Sequence, residues 1–307
     1  MRVAVCDLGS FSGLILIAEK RGRSLRAICE ERHTIDLSYH PGARNIPKGA
    51  LERATDVLIR FRMLAVKNKC ERVAVVSTAA LRDATNRKGA TRFLESQTAL
   101  RIRVLSPREE ARITALGAVT GLRTVAGNQL IIDIGGGSTE VTRYPSFAFR
   151  GVPLGAARAT AQWAGSLPKN PAERDRILRG LSLAAVQGLR PPRADLSRVV
   201  AVGGTITALA AMRKKLRTFA PERVHGTVLS SAWITQTAAD LSKESMAGLR
   251  RGLVFDPERA RVIVAGTYLW SAVLNRLGIT RVVVSARGLR WGMAAILAEA
   301  PDAPTSR

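Results

Sequence analysis

LIIDIGGGSTEVT, residues 130–142, carries an apolar run into one aspartate, three consecutive glycines and then a glutamate. Leu130, Ile131 and Ile132 read as a buried strand and Val141 begins the return, so the glycines fall at a tight strand-to-strand turn. Such a turn needs only one or two residues with positive φ. Glycine also lets backbone N–H groups come close to a ligand, and an anion fits that cradle. Taken alone, the stretch reads equally well as a hairpin tip flanked by two solvated acids.

The N-terminus repeats the pattern. VAVCDLGSFSGLILIAE, residues 3–19, is again apolar strand, aspartate, glycine, serine and apolar strand. Asp7-Leu8-Gly9-Ser10 is thereby matched with Asp133-Ile134-Gly135-Gly136 as equivalent turns of a duplicated architecture. A third loop, VVAVGGTITALAAM at 199–212, takes Gly203 and Gly204 from a strand into a helix beginning near Thr205. Two Asp-Gly turns facing each other, with a third glycine loop nearby, describe a cleft that holds phosphates between two lobes.

A chain of 307 residues exceeds the size at which one core keeps growing, so two domains are expected, and 46% apolar residues suffice to fill them. No apolar run approaches the roughly 20 residues of a bilayer span, and Asp7 interrupts the one segment resembling a signal core. A cytoplasmic protein without membrane contact is expected. Cys6, Cys29 and Cys70 have neither metal-ligand spacing nor the even count of a disulfide framework; Cys6 reads as a small core residue of the first strand. Lys and Arg number 48 against 24 Asp and Glu, a net charge of +24. A compositional bias toward arginine is one explanation. The other is a use for the field, since the guanidinium fork suits phosphate oxygens and a strong positive potential attracts polyanions. Aromatics are 5% and are not interleaved with basic residues, which favours long phosphate polymers over nucleic acid as the partner. A homodimer is left open.

The spacing predicts strands from Val3 to about Glu19 and from Leu25 to Arg32, a helix over Lys48–Val66, a strand at 72–77, a helix running from TAALRDATN toward Leu94 and a strand at RIRVLS. A first lobe spans 1–125 and a second 126–287. The second holds helices at about 171–190, 205–217 and 257–277 and a strand at 281–286. GLRWGMAAILAEA, about 288–300, is a helix that can cross back to the first lobe, and the tail 301–307 is expected to be disordered. The alternation of strands and helices means α/β.

In SPREEARITALGAV, Ser106 is an N-cap, Pro107 suits the first helical position, and Glu109 falls at the third position of a capping box. Glu110 points about 100° away around the helix and is not needed for the cap. It is the better candidate for chemistry, although a solvated surface is the default for any single glutamate.

Together these pieces resemble the exopolyphosphatase and guanosine pentaphosphate phosphohydrolase family, in the actin, heat-shock chaperone and sugar-kinase fold group. The resemblance runs in order through DLGSFS at 7, STAALRDATN at 77, SPREEAR at 106, DIGGGSTE at 133, VPLGAAR at 152, VGGTITAL at 202, HGTVL at 225 and SARGLRWG at 285. It implies a duplicated ribonuclease-H-like fold, two lobes about a phosphate cleft, in the short two-domain form without the extra helical domains of longer members. It also implies hydrolysis of a terminal phosphoanhydride of inorganic polyphosphate or guanosine pentaphosphate, helped by Mg²⁺ or another divalent cation. By motif, Glu110 matches the catalytic glutamate, while Asp133 and Glu140 match the acids that position water and metal, with Asp7 beside the metal from the other lobe. Arg82 matches a phosphate-binding arginine, and Ser10, Thr78, Gly135, Gly136, Gly137 and Ser138 line the anion site; Gly203, Gly204 and Thr205 of the third loop are expected to contact substrate as well. Two positions depart from the family pattern: Phe11 stands where asparagine is usual between two serines, removing a side-chain contact to phosphate, and Arg261 stands where aspartate is common. An ATP-using kinase of the same fold group and a non-catalytic binder of polyphosphate or an alarmone are the rival functions.

Overall fold

The computed structural model describes residues 1–22, 24–37, 45–123, 126–163 and 196–300, with isolated positions at 170, 172, 173, 176, 180 and 189. The apolar N-terminal segment forms a meander of β1 (Arg2–Leu8), β2 (Ser12–Arg21) and β3 (Ser24–Thr34). β4 (Arg72–Ser77) and β5 (Ile102–Val104) then add in parallel on the far side of β1, giving the order β3-β2-β1-β4-β5. Val3, Ala4, Val5 and Cys6 are all buried, as a strand with both faces covered requires. One cover is α1 (Lys48–Lys67), whose Ala54, Leu58 and Phe61 sit at helical spacing on the sheet.

The second sheet repeats the plan. β6 (Gln129–Ile134), β7 (Thr139–Tyr144) and β8 (Phe149–Val152) form a meander, and β9 (Arg198–Val202) pairs in parallel with β6. With β10 (Val228–Ser230) and β11 (Arg281–Val284) the order is β10-β11-β9-β6-β7-β8. Read from β8, the run β8-β7-β6-β9-β11 reproduces β3-β2-β1-β4-β5. The hairpin turns are superimposable in their bonding as well: Gly9 N–H donates to the Ser12 carbonyl at 3.0 Å, and Gly135 N–H to the Ser138 carbonyl at 3.0 Å. The chain is an α/β protein of the duplicated ribonuclease-H-like, actin-like fold.

Helices depart from expectation where local chemistry interrupts them. The helix expected from 79 to Leu94 is two, α2 (Ala79–Arg82) and α3 (Arg87–Thr98), separated by Asp83 to Asn86. α4 (Pro107–Val119) has the expected capping box. Beyond α5 (Ala156–Trp163), α6 (Gly204–Arg213) stops short of 217 because Lys215 turns left-handed, at φ 52°. After α7 (Pro221–Val224), α8 (Ser231–Leu241) and α9 (Met246–Gly252), the 257–277 stretch is a 3₁₀ turn over Pro257–Arg261 and then α10 (Ile263–Leu277). Val262, at φ −126°, breaks the two apart, and α10 is buried on nearly every side, as the core helix of the second sheet. The helix expected at 171–190 falls largely outside the described residues and the tail 301–307 wholly so. No described helix is long and apolar enough to cross a membrane.

α4 leads out of the first sheet and α11 (Leu289–Glu299) returns to it. α11 sets Trp291, Met293 and Ala294 against Val3, Val5 and Leu16. The two helices cross in backbone contact: a Cβ on Gly292 would lie 1.8 Å from the Ile113 carbonyl oxygen, so only glycine fits there.

Candidate active site

α5 starts directly behind the β6–β7 turn. The N–H of Ala156 donates to the Gly135 carbonyl at 2.8 Å, and those of Ala157 and Arg158 donate to the Gly136 carbonyl at 2.9 and 3.1 Å. A trans peptide points its C=O and N–H in opposite directions. Drawing the two carbonyls back to α5 therefore turns the N–H groups of Gly136 and Gly137 away from it. Among the described residues these N–H groups, and that of Ser138, donate to no protein acceptor, which is the condition for an anion cradle. Gly155 makes the seat possible, since a Cβ there would stand 2.5 Å from the Gly136 carbonyl carbon. Facing the turn from the first sheet are Ser10 and Ala79: a Cβ on Gly137 would lie 3.1 Å from Ser10 Oγ and 3.0 Å from the Ala79 Cβ.

The first sheet contributes through α2 and α4. Arg82 Nη1 donates to Glu110 Oε2 at 2.7 Å and to the Leu105 carbonyl at 3.0 Å. At the head of α4 the capping box is complete: Glu109 N–H donates to Ser106 Oγ at 3.3 Å, and Ser106 N–H donates to Glu109 Oε2 at 3.0 Å. Those Ser106 bonds, with Arg103 beside them, hold the Glu109 carboxyl down at about 2. One residue further round the helix, Glu110 is only 8% exposed and turns into the cleft, where Thr78 and Ser10 are also buried. Two adjacent glutamates thus have separate surroundings, one on the surface and one enclosed.

Asp133 and Glu140 are register partners across β6 and β7, so their side chains leave the same face of the sheet side by side. Asp7 holds the matching place on β1. Burial pushes Asp133 up to about 7, with the Glu110 and Asp7 charges adding to it. Burial does the same to Asp7, also to about 7, with Glu110 reinforcing and Arg290 opposing. Glu140 is raised well above the usual carboxylate range by burial and then by Glu110 and Asp133. Glu110 is raised by burial against the pull of Arg82. These four carboxyls therefore share one enclosure and resist ionising together.

Among the described residues no three His, Cys, Asp or Glu side chains gather into a set that could enclose a metal ion. A small hard cation such as Mg²⁺ asks for less: one or two carboxylates, with water and substrate phosphate completing its shell. Asp7 Oδ1 is enclosed without any hydrogen-bond partner. That orphaned oxygen and the mutual repulsion of the acids fit such a cation.

The third loop divides. Gly203, at φ 116°, backs directly onto the acids: its Cβ position is 2.3 Å from the Ile134 carbonyl oxygen and 3.3 Å from Asp133 Oδ1. Gly204 is covered by a guanidinium, with Arg259 Nη1 2.3 Å from its Cβ position. Thr205, expected to contact substrate, is turned into the core instead; it is 1% exposed, and its Oγ1 packs at Gly266 of α10. Its place in the first turn of α6 sets it against α10 rather than toward the cleft.

Phe11 and Arg261, 250 residues apart in the chain, meet in the structure. The guanidinium of Arg261 lies 5.7 Å from the Phe11 ring centroid and that of Arg32 5.5 Å, while Arg261 Nη1 donates to Asp36 Oδ2 at 2.8 Å. Two functional candidates were missed. Asp83 and Arg158 pair across the cleft, and the other Asp83 oxygen stands 3.6 Å from Arg82 Nε. Both lie in motif segments already singled out, but 75 residues apart, and no local pattern connects them.

Residues 16–299 match the Ppx/GppA phosphatase family. The chain belongs to that family. Exopolyphosphatase 1 of Mycobacterium leprae is 29% identical over 306 residues, 95% of this chain and 88% of that protein. The Mycobacterium tuberculosis exopolyphosphatase 1 is 28% identical over the same length, covering 95% and 87%. The crystal structure of the Aquifex aeolicus Ppx/GppA family member matches with a TM-score of 0.81 at 28% identity, covering 98% of this chain and 99% of that one. A Cytophaga hutchinsonii exopolyphosphatase shares the fold, with a TM-score of 0.82 at 20% identity. As a member of the Ppx/GppA phosphatase family the chain is a phosphohydrolase.

Proposed function

We propose that this Ppx/GppA chain releases terminal orthophosphate from inorganic polyphosphate, from guanosine pentaphosphate, or from both. The main support is the buried Glu110, hydrogen-bonded to Arg82 at 2.7 Å beside a glycine turn with unused N–H groups. The terminal phosphate lies on the N–H groups of Gly136, Gly137 and Ser138, flanked by Ser10, Thr78 and Arg82, which offset its charge as it grows. Water attacks the phosphorus in line, the bond to the bridging oxygen breaks, and the shortened chain leaves with that bond's electron pair. Glu110 takes the proton of the attacking water, a contribution of roughly 10² to 10⁴ in rate. Its raised affinity for protons suits that task near neutral pH. Mg²⁺ or another divalent cation, held by Asp133 and Glu140 with Asp7 opposite, would supply neutralisation of the phosphate oxygens.

A kinase would lay adenosine against the third loop. Here Arg259 covers Gly204 and is itself buried and bound to Asp256 at 2.8 Å, so a nucleoside would have to displace a paired, enclosed guanidinium. A mere binder would have little use for four acids forced together. The test is phosphate release by the purified protein from each substrate, without an acceptor, with and without Mg²⁺. Glu110→Gln should lose at least about 10² in kcat while still binding polyphosphate, and Glu109→Gln should remain active because glutamine also serves a capping box. An inactive Glu109→Gln beside an active Glu110→Gln would refute the assignment.

A further inference from the structure

We propose that Arg158 is a second phosphate-binding cation of this site, held in place by Asp83 until a phosphate chain takes that carboxylate's place. The inference rests on the function proposed above. Arg158 is anchored twice to the glycine turn region: its own N–H bonds the Gly136 carbonyl at 3.1 Å, and its Nη1 donates to the Pro153 carbonyl at 3.3 Å. Its side chain then runs beside the turn, with Nε 3.8 Å from the Cβ position of Gly137. Nη2 crosses to Asp83 on the opposite wall. Charges therefore alternate along the rim from α5 to α4 as Arg158, Asp83, Arg82 and Glu110.

The two ends of that row differ in permanence. Arg82 and Glu110 are enclosed, with side chains 16% and 11% exposed, so their pairing persists. Arg158 and Asp83 are 32% and 42% exposed, and ion pairs so open to water hold weakly and exchange readily. A phosphate inside a chain offers a guanidinium two acceptor oxygens and one negative charge, as a carboxylate does, and the charges of its neighbours along the chain add to the attraction. Arg158 flanks Gly137 and is twice as exposed as Arg82, so we assign to it the phosphate next to the terminal group on the glycine N–H cradle. Asp83 is then a competitor for Arg158, not only its support.

Opposite effects of the two partners test this. Arg158→Ala should raise KM for inorganic polyphosphate roughly tenfold with a much smaller change in kcat, and Arg158→Lys should recover part of the loss. Asp83→Asn should lower KM, roughly threefold, by freeing Arg158. The double variant should behave like Arg158→Ala alone, because the gain runs through Arg158. Kd for tripolyphosphate, measured by calorimetry on a Glu110→Gln background, should move in parallel. A structural clasp predicts instead that either single change raises KM, and that result would overturn the proposal, as would a gain from Asp83→Asn that persists without Arg158. Wild-type protein that releases no phosphate refutes the proposed function and Arg158's role with it. Active wild type with both variants shifted the same way refutes Arg158's role alone.

Discussion

Replacing Asp133 by asparagine should stabilise the metal-free protein at pH 8. Enclosure and the neighbouring acids lift this carboxyl from an ordinary 3.8 to about 7. A group whose pKa is raised on folding holds its proton more tightly in the native state, so its stabilising contribution is complete below the unfolded value and is lost as pH climbs through the folded one. For Asp133 the window runs from about 4 to about 7. The difference corresponds to about 4 kcal/mol of destabilisation at pH 8, reduced by relaxation and water entry to roughly 2–4 kcal/mol. Asparagine keeps the volume and carries no charge. With an unfolding entropy of about 2.1 cal/mol/K per residue, the gain for this chain amounts to roughly 3–6 °C in Tm. Thermal melts in chelator at pH 8 and at pH 5 check it: the variant should melt higher at pH 8, and its gain should shrink to roughly a third at pH 5, where the native aspartate is protonated and the unfolded one still ionises. Saturating Mg²⁺ should reverse the order, and the variant should need more Mg²⁺ for activity. Equal stability at pH 8, or the same gain at both pH values, would refute the account of a strained acid cluster.

Gly155→Ala should lower both Tm and kcat, by tenfold or more in rate as an order of magnitude, because its Cβ would meet the Gly136 carbonyl carbon at 2.5 Å and tilt the N–H cradle. Gly89→Ala, within α3 and with nothing inside 4 Å of its Cβ position, is the control and should gain up to about 1 kcal/mol in a denaturant melt. If the +24 charge serves to hold a long polyanion, affinity for long-chain polyphosphate should fall steeply with salt through counterion release, while guanosine pentaphosphate, which touches only the cleft, should show a shallow slope. Equal slopes would make the basic surface a compositional bias, since beyond a Debye length of about 8 Å surface arginines act only on phosphates that reach them.

The strand and turn grammar was legible because it is local. Side-chain alternation, the Asp-Gly turns and the Ser106 cap depend on residues within a few positions of one another, and the structure returns β4 at 72–77 and the complete capping box. The different surroundings of Glu109 and Glu110 were legible for the same reason, since helix geometry alone separates their directions by about 100°. Helix ends were less so: Lys215 and Val262 interrupt patterns whose apolar spacing continues past them. Thr205 shows the limit at a single residue, for whether a side chain at a helix start faces a cleft or a core depends on which helix packs there, and here it is α10.

The sequence by itself therefore determined the fold class, the repeated turns and the set of acids with Arg82, all written in short contiguous motifs. Tertiary structure alone decided the meeting of Phe11 with Arg261, the pairing of Asp83 with Arg158 and the raised carboxyls of Asp7, Asp133 and Glu140. Ion pairing between distant segments and the cost of removing a charge from water depend on what surrounds a group in three dimensions, and neither is encoded in its neighbours along the chain.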